Sequence, residues 1–205
     1  MKKQKIGLLG GSFDPVHFGH INLAIELMEK AQLDEVWFVP AQLNPHKAGT
    51  LPVPINHRFA MVNEAIMEIP QFSCHKVEAE RAPPSYTIET LRILMEEENK
   101  KEDPANFLLL LGQDSIHQFS NWREADGIVQ RVPLLIGSRF GAEPAMPETH
   151  QCIQEAIQKG TLATKLLDIS ATEVRLRLSK GLYCGHLVPA TVLRYIKEHF
   201  LYSVQ

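Results

Sequence analysis

The sequence predicts an α/β fold: a Rossmann-like parallel sheet with helices on both faces and a small C-terminal helical region. Three observations carry this expectation. Short apolar runs of strand length alternate along the chain with stretches of helical periodicity. Most of these runs are apolar at every position, as strands covered on both faces are. The first run ends in Gly10-Gly11 directly before a helical stretch, and ligands in such sheets bind beyond the carboxyl ends of the strands.

The elements follow in order. Lys5-Ile6-Gly7-Leu8-Leu9-Gly10 reads as a buried strand and turn. Over 20–31, Ile21, Ala24, Ile25, Leu27, Met28 and Ala31 recur at helical spacing. Val36-Trp37-Phe38-Val39 is a second strand, stopped by Pro40. A helix is expected over 57–69 and a weaker strand over 72–77. An amphipathic helix follows over 87–98, with Ile88, Leu91, Leu94 and Met95. Phe107-Leu108-Leu109-Leu110-Leu111 is the plainest strand, ended by Gly112. A helix over 122–130 and a strand at Leu134-Leu135-Ile136-Gly137 come next. Residues 140–164 read as a polar surface insertion with one helix near 148–158, and 165–169 as a short strand. Two helices, roughly 171–180 and 189–200, close the chain. Residues 1–205 are expected to form one domain, with 170–205 as its C-terminal helical part.

Composition removes several functions. With 44% hydrophobic and 22% charged residues the chain can bury a core, which argues against general disorder. A net charge of −3 offers no basic excess for long nucleic acid. No run approaches the roughly 18 apolar residues of a membrane span. The apolar run behind the lysine-rich start is too short for a secretory signal. Cys74, Cys152 and Cys184 form neither a CxxC pair nor a disulfide framework, which fits a reducing, cytoplasmic compartment.

The first loop reads Gly10-Gly11-Ser12-Phe13-Asp14-Pro15-Val16-His17-Phe18-Gly19-His20. Gly10 and Gly11 let the backbone approach a ligand closely. The helix start behind them offers unpaired N–H groups and a partial positive charge, which suits phosphate. His17 and His20, three apart, share a face and can present two donors to one phosphate. Neither GxGxxG nor GxxxxGK[ST] fits the loop, which disfavours a dehydrogenase and a P-loop ATPase. A metal-binding His pair and a plain pair of capping histidines are the alternatives, and the strand, double glycine and helix start weigh against both.

A second helix start lies in Asp168-Ile169-Ser170-Ala171-Thr172-Glu173-Val174-Arg175. Ser170 and Glu173 have capping-box spacing, and Arg175 sits one turn inside, an arrangement that suits polyphosphate as well as it suits an ordinary capped helix. Between the two anchors lie further candidates. His46 and Lys47 follow the second strand and can meet phosphate. Ser85, Tyr86 and Thr87 lead into a helix whose first N–H groups can bind a carboxylate. Asp114, just beyond Gly112, can accept from a ribose hydroxyl or help hold a cation. Trp122 offers an indole for stacking, against the alternative of a core tryptophan.

The loop motif resembles the His-x-Gly-His signature of a nucleotidyltransferase superfamily, and Ile169-Ser170-x-Thr172-x-x-Arg175 resembles its second signature. The segments Pro40 to His46, Pro84-Ser85-Tyr86-Thr87, Gly112-x-Asp114 and Phe119-x-x-Trp122 further resemble the nicotinate mononucleotide adenylyltransferases. Matching motifs run over 6–196, nearly the whole chain. The resemblance implies adenylyl transfer from ATP to nicotinate mononucleotide, giving nicotinate adenine dinucleotide and pyrophosphate in NAD biosynthesis. It implies His17, His20 and Arg175 as catalytic residues. ATP binding is implied for Gly10, Gly11, Ser12, Phe13, Gly112, Asp114, Ser170, Thr172 and Lys47. Substrate binding is implied for Gln42, His46, Ser85, Tyr86, Thr87, Trp122 and Arg139. Mg²⁺ is expected as cofactor, held mainly by the ATP phosphates rather than by protein ligands. Two departures stand out: Phe140 replaces the proline usual after Arg139, and Ala41-Gln42 stands where polar residues often read the pyridine ring. Another acceptor, such as phosphopantetheine, and a nucleotide-binding regulator without turnover are the competing readings. A homo-oligomer is left open.

Overall fold

The computed structural model describes residues 3–43, 51–139 and 147–203. Six strands run β1 (Lys5–Gly11), β2 (Glu35–Pro40), β3 (Phe72–Cys74), β4 (Asn106–Gly112), β5 (Leu134–Arg139) and β6 (Thr161–Thr164). Eight helices join and follow them among the described residues: α1 (Phe18–Ala31), α2 (Ile55–Ile66), α3 (Thr87–Glu98), α4 (Gln113–Phe119), α5 (Ala125–Arg131), α6 (Gln151–Gly160), α7 (Ala171–Ser179) and α8 (Ala190–Glu198). The strands form one all-parallel sheet in the order β3-β2-β1-β4-β5-β6. The α/β class, the parallel sheet and the helices on both faces are as the sequence predicts.

The double covering follows from strand geometry, because successive side chains point to opposite faces. In β1, Ile6 and Leu8 enter one core cluster and Leu9 the other. In β4, Leu109 and Leu111 face one cluster and Leu110 the other. Ile21, Ala24 and Leu27 of α1, Met61 and Val62 of α2, Val174 of α7 and Ile196 of α8 cover the first face. Ile88 and Leu91 of α3, Phe119 of α4, Ile128 of α5 and Ile157 of α6 cover the second. The central strands β1 and β4 are therefore apolar at successive positions.

The order reverses at β1: the chain moves outward through β2 and β3, then returns to place β4 on the other side of β1. Loops leaving β1 and β4 diverge to opposite faces, which opens a crevice at their carboxyl ends. No helix among the described residues is long and apolar enough to cross a membrane.

The structure corrects the sequence reading at five places. Helix α4 was not expected, because the polar Gln113-Asp114-Ser115 hides a single buried turn through Ile116 and Phe119. The helix expected from Trp122 begins at Ala125, after a turn in which the Trp122 N–H bonds the Phe119 carbonyl. The expected strand at 72–77 pairs only over Phe72–Cys74.

The fourth correction concerns 140–164. Its second half is not a surface insertion: α6 buries Ile153 and Ile157, and β6 extends the sheet by pairing with β5. Polar composition misled here because only one stripe of α6 and one edge of β6 meet the protein. Conversely, 165–169 is no strand. Arg139 ends β5 opposite Thr164, so the chain beyond has no strand to pair with. It is held instead by α1, through Asn22 Nδ2 on the Lys165 carbonyl and the Lys165 N–H on Glu26 at 3.2 Å.

Helix α6 reaches β5 at Gly160, where an added Cβ would lie 2.2 Å from the Leu134 carbonyl oxygen. That obstacle is backbone and cannot rotate away. Gly160→Ala is expected to destabilise the protein by about 1–3 kcal/mol, read as a lower urea midpoint, with the largest loss at this edge of the sheet.

Candidate active site

A cleft of about 390 Å³ opens at the carboxyl ends of β1 and β4. Gly10, Gly11 and Ser12 line it from β1, Gly112 and Asp114 from β4 and α4, and His17 and His20 from the start of α1. Ser85, Tyr86, Thr87 and Trp122 form another wall, and the 166–169 segment closes the remaining side.

The first loop turns inward on Phe13, whose backbone is left-handed at φ 47 and whose side chain is 1% exposed. Its ring packs on Phe38 and meets the His20 ring edge-on at 5.0 Å. The Phe13 side chain is thus a pillar beneath the loop, shielded from the cleft. His17 is the N-cap of α1, and its N–H reaches His20 Nδ1 at 3.3 Å. The two rings stack with centroids 3.7 Å apart. An Nδ1 that accepts a hydrogen bond puts the proton of a neutral His20 on Nε2. Gly19 lies between them because a Cβ there would stand 3.0 Å from His17 Nδ1 and 3.2 Å from the Leu167 carbonyl.

The second anchor meets the first. Arg175, on α7, donates to the Asp14 carbonyl at 2.7 Å and to Thr172 Oγ1 at 3.2 Å. Ser170 is the N-cap of α7 but makes no side-chain capping bond, so the expected capping box does not form. Ser170, Thr172 and Arg175 stand just past the lining residues Asp168 and Ile169.

Tyr86 is the N-cap of α3 and Thr87 its first residue. This helix start is tied to the exit of β2: Gln42 N–H bonds Ser85 Oγ at 2.9 Å, and Ser85 N–H bonds the Leu43 carbonyl at 3.0 Å. The Gln42 side chain is not among the lining residues, and its Oε1 is buried without a hydrogen bond. Trp122 satisfies both of its readings, packing on Phe119 at 5.1 Å while lining the cleft. Arg139 ends β5 at the same edge of the sheet. His46 and Lys47 lie outside the described residues.

Several residues that sequence reasoning missed hold the walls. Arg58 of α2 is 1% exposed. It donates to the carbonyls of Val53, Ser12, Ala41 and Gln42 at 2.7, 2.7, 2.7 and 3.1 Å. Burial pushes its pKa down, opposed by the nearby Asp14 charge. Glu78, 6% exposed, lines the cleft and accepts from Thr90 Oγ1 at 2.6 Å. Arg81 bridges Thr90 and Glu89, and Arg123 pairs with Glu89 at 3.0 Å while lying over the Tyr86 ring. In Glu78-Ala79-Glu80-Arg81 nothing separates a buried carboxylate from a solvated one.

Residues 8–177 match the model of the cytidylyltransferase-like family, a span that takes in both anchors. A probable nicotinate-nucleotide adenylyltransferase of Salinibacter ruber is 37% identical over 96% of this chain and 97% of its own length. One from Bordetella petrii is 38% identical over 97% of this chain and 99% of its own. The chain belongs to the nicotinate-nucleotide adenylyltransferases of the cytidylyltransferase-like family. A solved structure with the same fold is the nicotinic acid mononucleotide adenylyltransferase of Plasmodium falciparum, complexed with NaAD. It has a TM-score of 0.74 and 20% identity, with 97% of both chains covered.

Burial raises the Glu78 carboxyl above the usual range, against the lowering effect of bonds from Thr90 and Ser85 and of the Arg81 charge. The folded state therefore holds this proton more tightly than the unfolded chain does. Its contribution to stability is full below the unfolded carboxylate pKa and is lost as pH rises through the raised value. Glu78→Gln removes this dependence. The difference in unfolding free energy, variant minus parent, is expected to move in the variant's favour between pH 4 and pH 7 in urea titrations.

Proposed function

We propose that this chain transfers the adenylyl group of ATP to nicotinate mononucleotide, releasing pyrophosphate and forming nicotinate adenine dinucleotide, a step of NAD biosynthesis in the cytoplasm. One observation carries the reading. The glycine exit of β1, the His17-His20 helix start and the Ser85 to Thr87 helix start share a single cleft, with Arg175 fastened to the same loop. A donor nucleotide and an acidic acceptor then have separate walls and one meeting point.

Gly10, Gly11 and the backbone at Ser12 and Phe13 bring the first loop against ATP, with Gly112 and Asp114 at the nucleoside. Ser170, Thr172, Arg175 and Lys47 take the β- and γ-phosphates. The Ser85 to Thr87 helix start receives the pyridine carboxylate at the Tyr86 and Thr87 N–H groups, the Ser85 N–H being held by the Leu43 carbonyl, and Trp122 stacks on the ring. Gln42, His46 and Arg139 complete the acceptor side.

The acceptor phosphate is already an anion, so no general base has to generate the nucleophile. One of its oxygens forms a bond to the α-phosphorus as the bond from that phosphorus to the α–β bridging oxygen breaks. Pyrophosphate leaves with the electron pair. Catalysis rests on alignment and on neutralising charge at the non-bridging and leaving oxygens. His20 can donate from Nε2 toward the α-phosphate, because its Nδ1 is engaged by His17 N–H. His17 stacks beside it, and Arg175 faces the leaving group.

Among the described residues no group of three or more His, Cys, Asp or Glu side chains is placed to hold a metal ion. Mg²⁺ would be held here mainly by ATP oxygens, with Asp114, beside Glu78 and Asp168 among the carboxylates on the cleft wall, as the protein group able to help hold it. It would supply neutralisation of the phosphate oxygens.

Pyrophosphate release with ATP and each pyridine mononucleotide tests the reading. Higher kcat/KM is expected for nicotinate than for nicotinamide mononucleotide. Equal values overturn the carboxylate assignment, and no release with either overturns the function. Turnover with phosphopantetheine instead would move the chain to another acceptor.

His20→Ala should lower kcat about 10²–10³-fold, the cost of one donor to developing charge, with the thermal midpoint retained. An unchanged kcat removes His20 from the mechanism.

A further inference from the structure

Asp14 sits in the first loop, 8% exposed, beside two guanidinium groups. Arg175 Nη1 lies 3.8 Å from Asp14 Oδ2, too long for a hydrogen bond, although the same Nη1 bonds the Asp14 carbonyl at 2.7 Å. Arg58 contributes a nearby charge without a bond to the carboxylate. The close partner of Asp14 is instead the Tyr202 hydroxyl, which donates to Oδ1 at 2.7 Å, and Val53 N–H approaches the same oxygen at 3.3 Å.

Tyr202 is held there against its own backbone preference. Its φ is +61 and that of Phe200 is +53, in the left-handed region that a residue with a Cβ rarely adopts. Such conformations persist where the surroundings determine them. The surroundings here are the core cluster that holds Phe13 and Val16, against which Leu201 and Tyr202 pack, and the bond to Asp14. Burial and the Asp14 charge push the phenol's ionisation far above its usual pH, so the hydroxyl remains a donor.

We infer that Tyr202 is a positioning residue of the active site: by donating to Asp14 it keeps that carboxylate from drawing Arg175 into a full ion pair, and so keeps the guanidinium available to phosphate. The inference rests on the assignment of Arg175 to the polyphosphate. A buried carboxylate must find donors. Without the hydroxyl, the nearest side chain able to supply one is Arg175, whose Nη1 needs to move only from 3.8 Å to bonding distance.

The test compares Tyr202→Phe, Asp14→Asn, the double variant and Arg175→Ala in the pyrophosphate-release assay, with thermal midpoints measured alongside. Tyr202→Phe is expected to raise KM for ATP about tenfold, the scale of one hydrogen bond to a charged group. KM for nicotinate mononucleotide should stay within about twofold. Asp14→Asn, which cannot ion-pair, should not raise KM for ATP, and adding Tyr202→Phe to it should change nothing further. An unchanged KM for ATP in Tyr202→Phe, or a loss of kcat shared equally by both substrates, overturns the inference. If Tyr202→Phe does not fold, Asp14→Asn decides, and a raised KM for ATP in that variant overturns it. Arg175→Ala without effect on ATP kinetics overturns the parent assignment and the inference with it. An impaired Arg175→Ala beside an unaffected Tyr202→Phe removes Tyr202 alone.

Discussion

The cleft depends on one buried cation. Arg58 carries its guanidinium into the protein with four backbone carbonyls around it and no carboxylate bonded to it. Removing such a charge from water costs several kcal/mol, and charge-assisted bonds in good geometry offset that cost. The carbonyls belong to the loop after β1, the exit of β2 and the lead into α2. One planar group thereby fixes three chain segments that no sheet or helix ladder reaches. An ammonium could not do the same, since its three donors radiate from one point and cannot fork across separated acceptors.

That clamp explains how loops can form a binding surface at all. The sheet ends at Gly11, Pro40 and Gly112, and most of the cleft wall is built from strand ends and from the loops and helix starts beyond them. Arg58 holds one side of the opening. The Glu78-Thr90-Arg81 cluster holds the start of α3, and Arg175 ties α7 back to Asp14. Net charge is a sum over the whole surface, so a chain of net charge −3 can still gather cations such as Arg123 and Arg175 near one opening and present a local site for a small, highly charged anion.

Sequence reasoning found the parts that announce themselves by periodicity or by glycine. Strands β1, β2, β4 and β5 and helices α1, α3, α7 and α8 lie within a few residues of their expected places, because continuous apolar runs and 3.6-residue spacing leave few alternatives. The lining positions Gly10, Gly11, His17, His20, Ser85 and Asp114 were readable because each stands near a strand exit or a helix start, and Trp122 because of its indole. Arg58, Glu78, Asp14 and Tyr202 were not. A buried polar residue has no signature of its own, since its burial is decided by partners far away in the chain. Polarity misled in the same way at α4 and β6, where one turn or one edge is all that enters the core, and at α6 it hid the burial of a helix whose place was expected.

The bond between Tyr202 and Asp14 joins residues 188 positions apart. During synthesis at about 5–20 residues per second, roughly 10–40 s separate the appearance of the loop from that of its partner. Over that interval the strands of the sheet can pair while the first loop lacks its last support. The scaffold can therefore precede its own fastening: the sheet comes first, and the bond that braces the first loop comes from a segment made long after it.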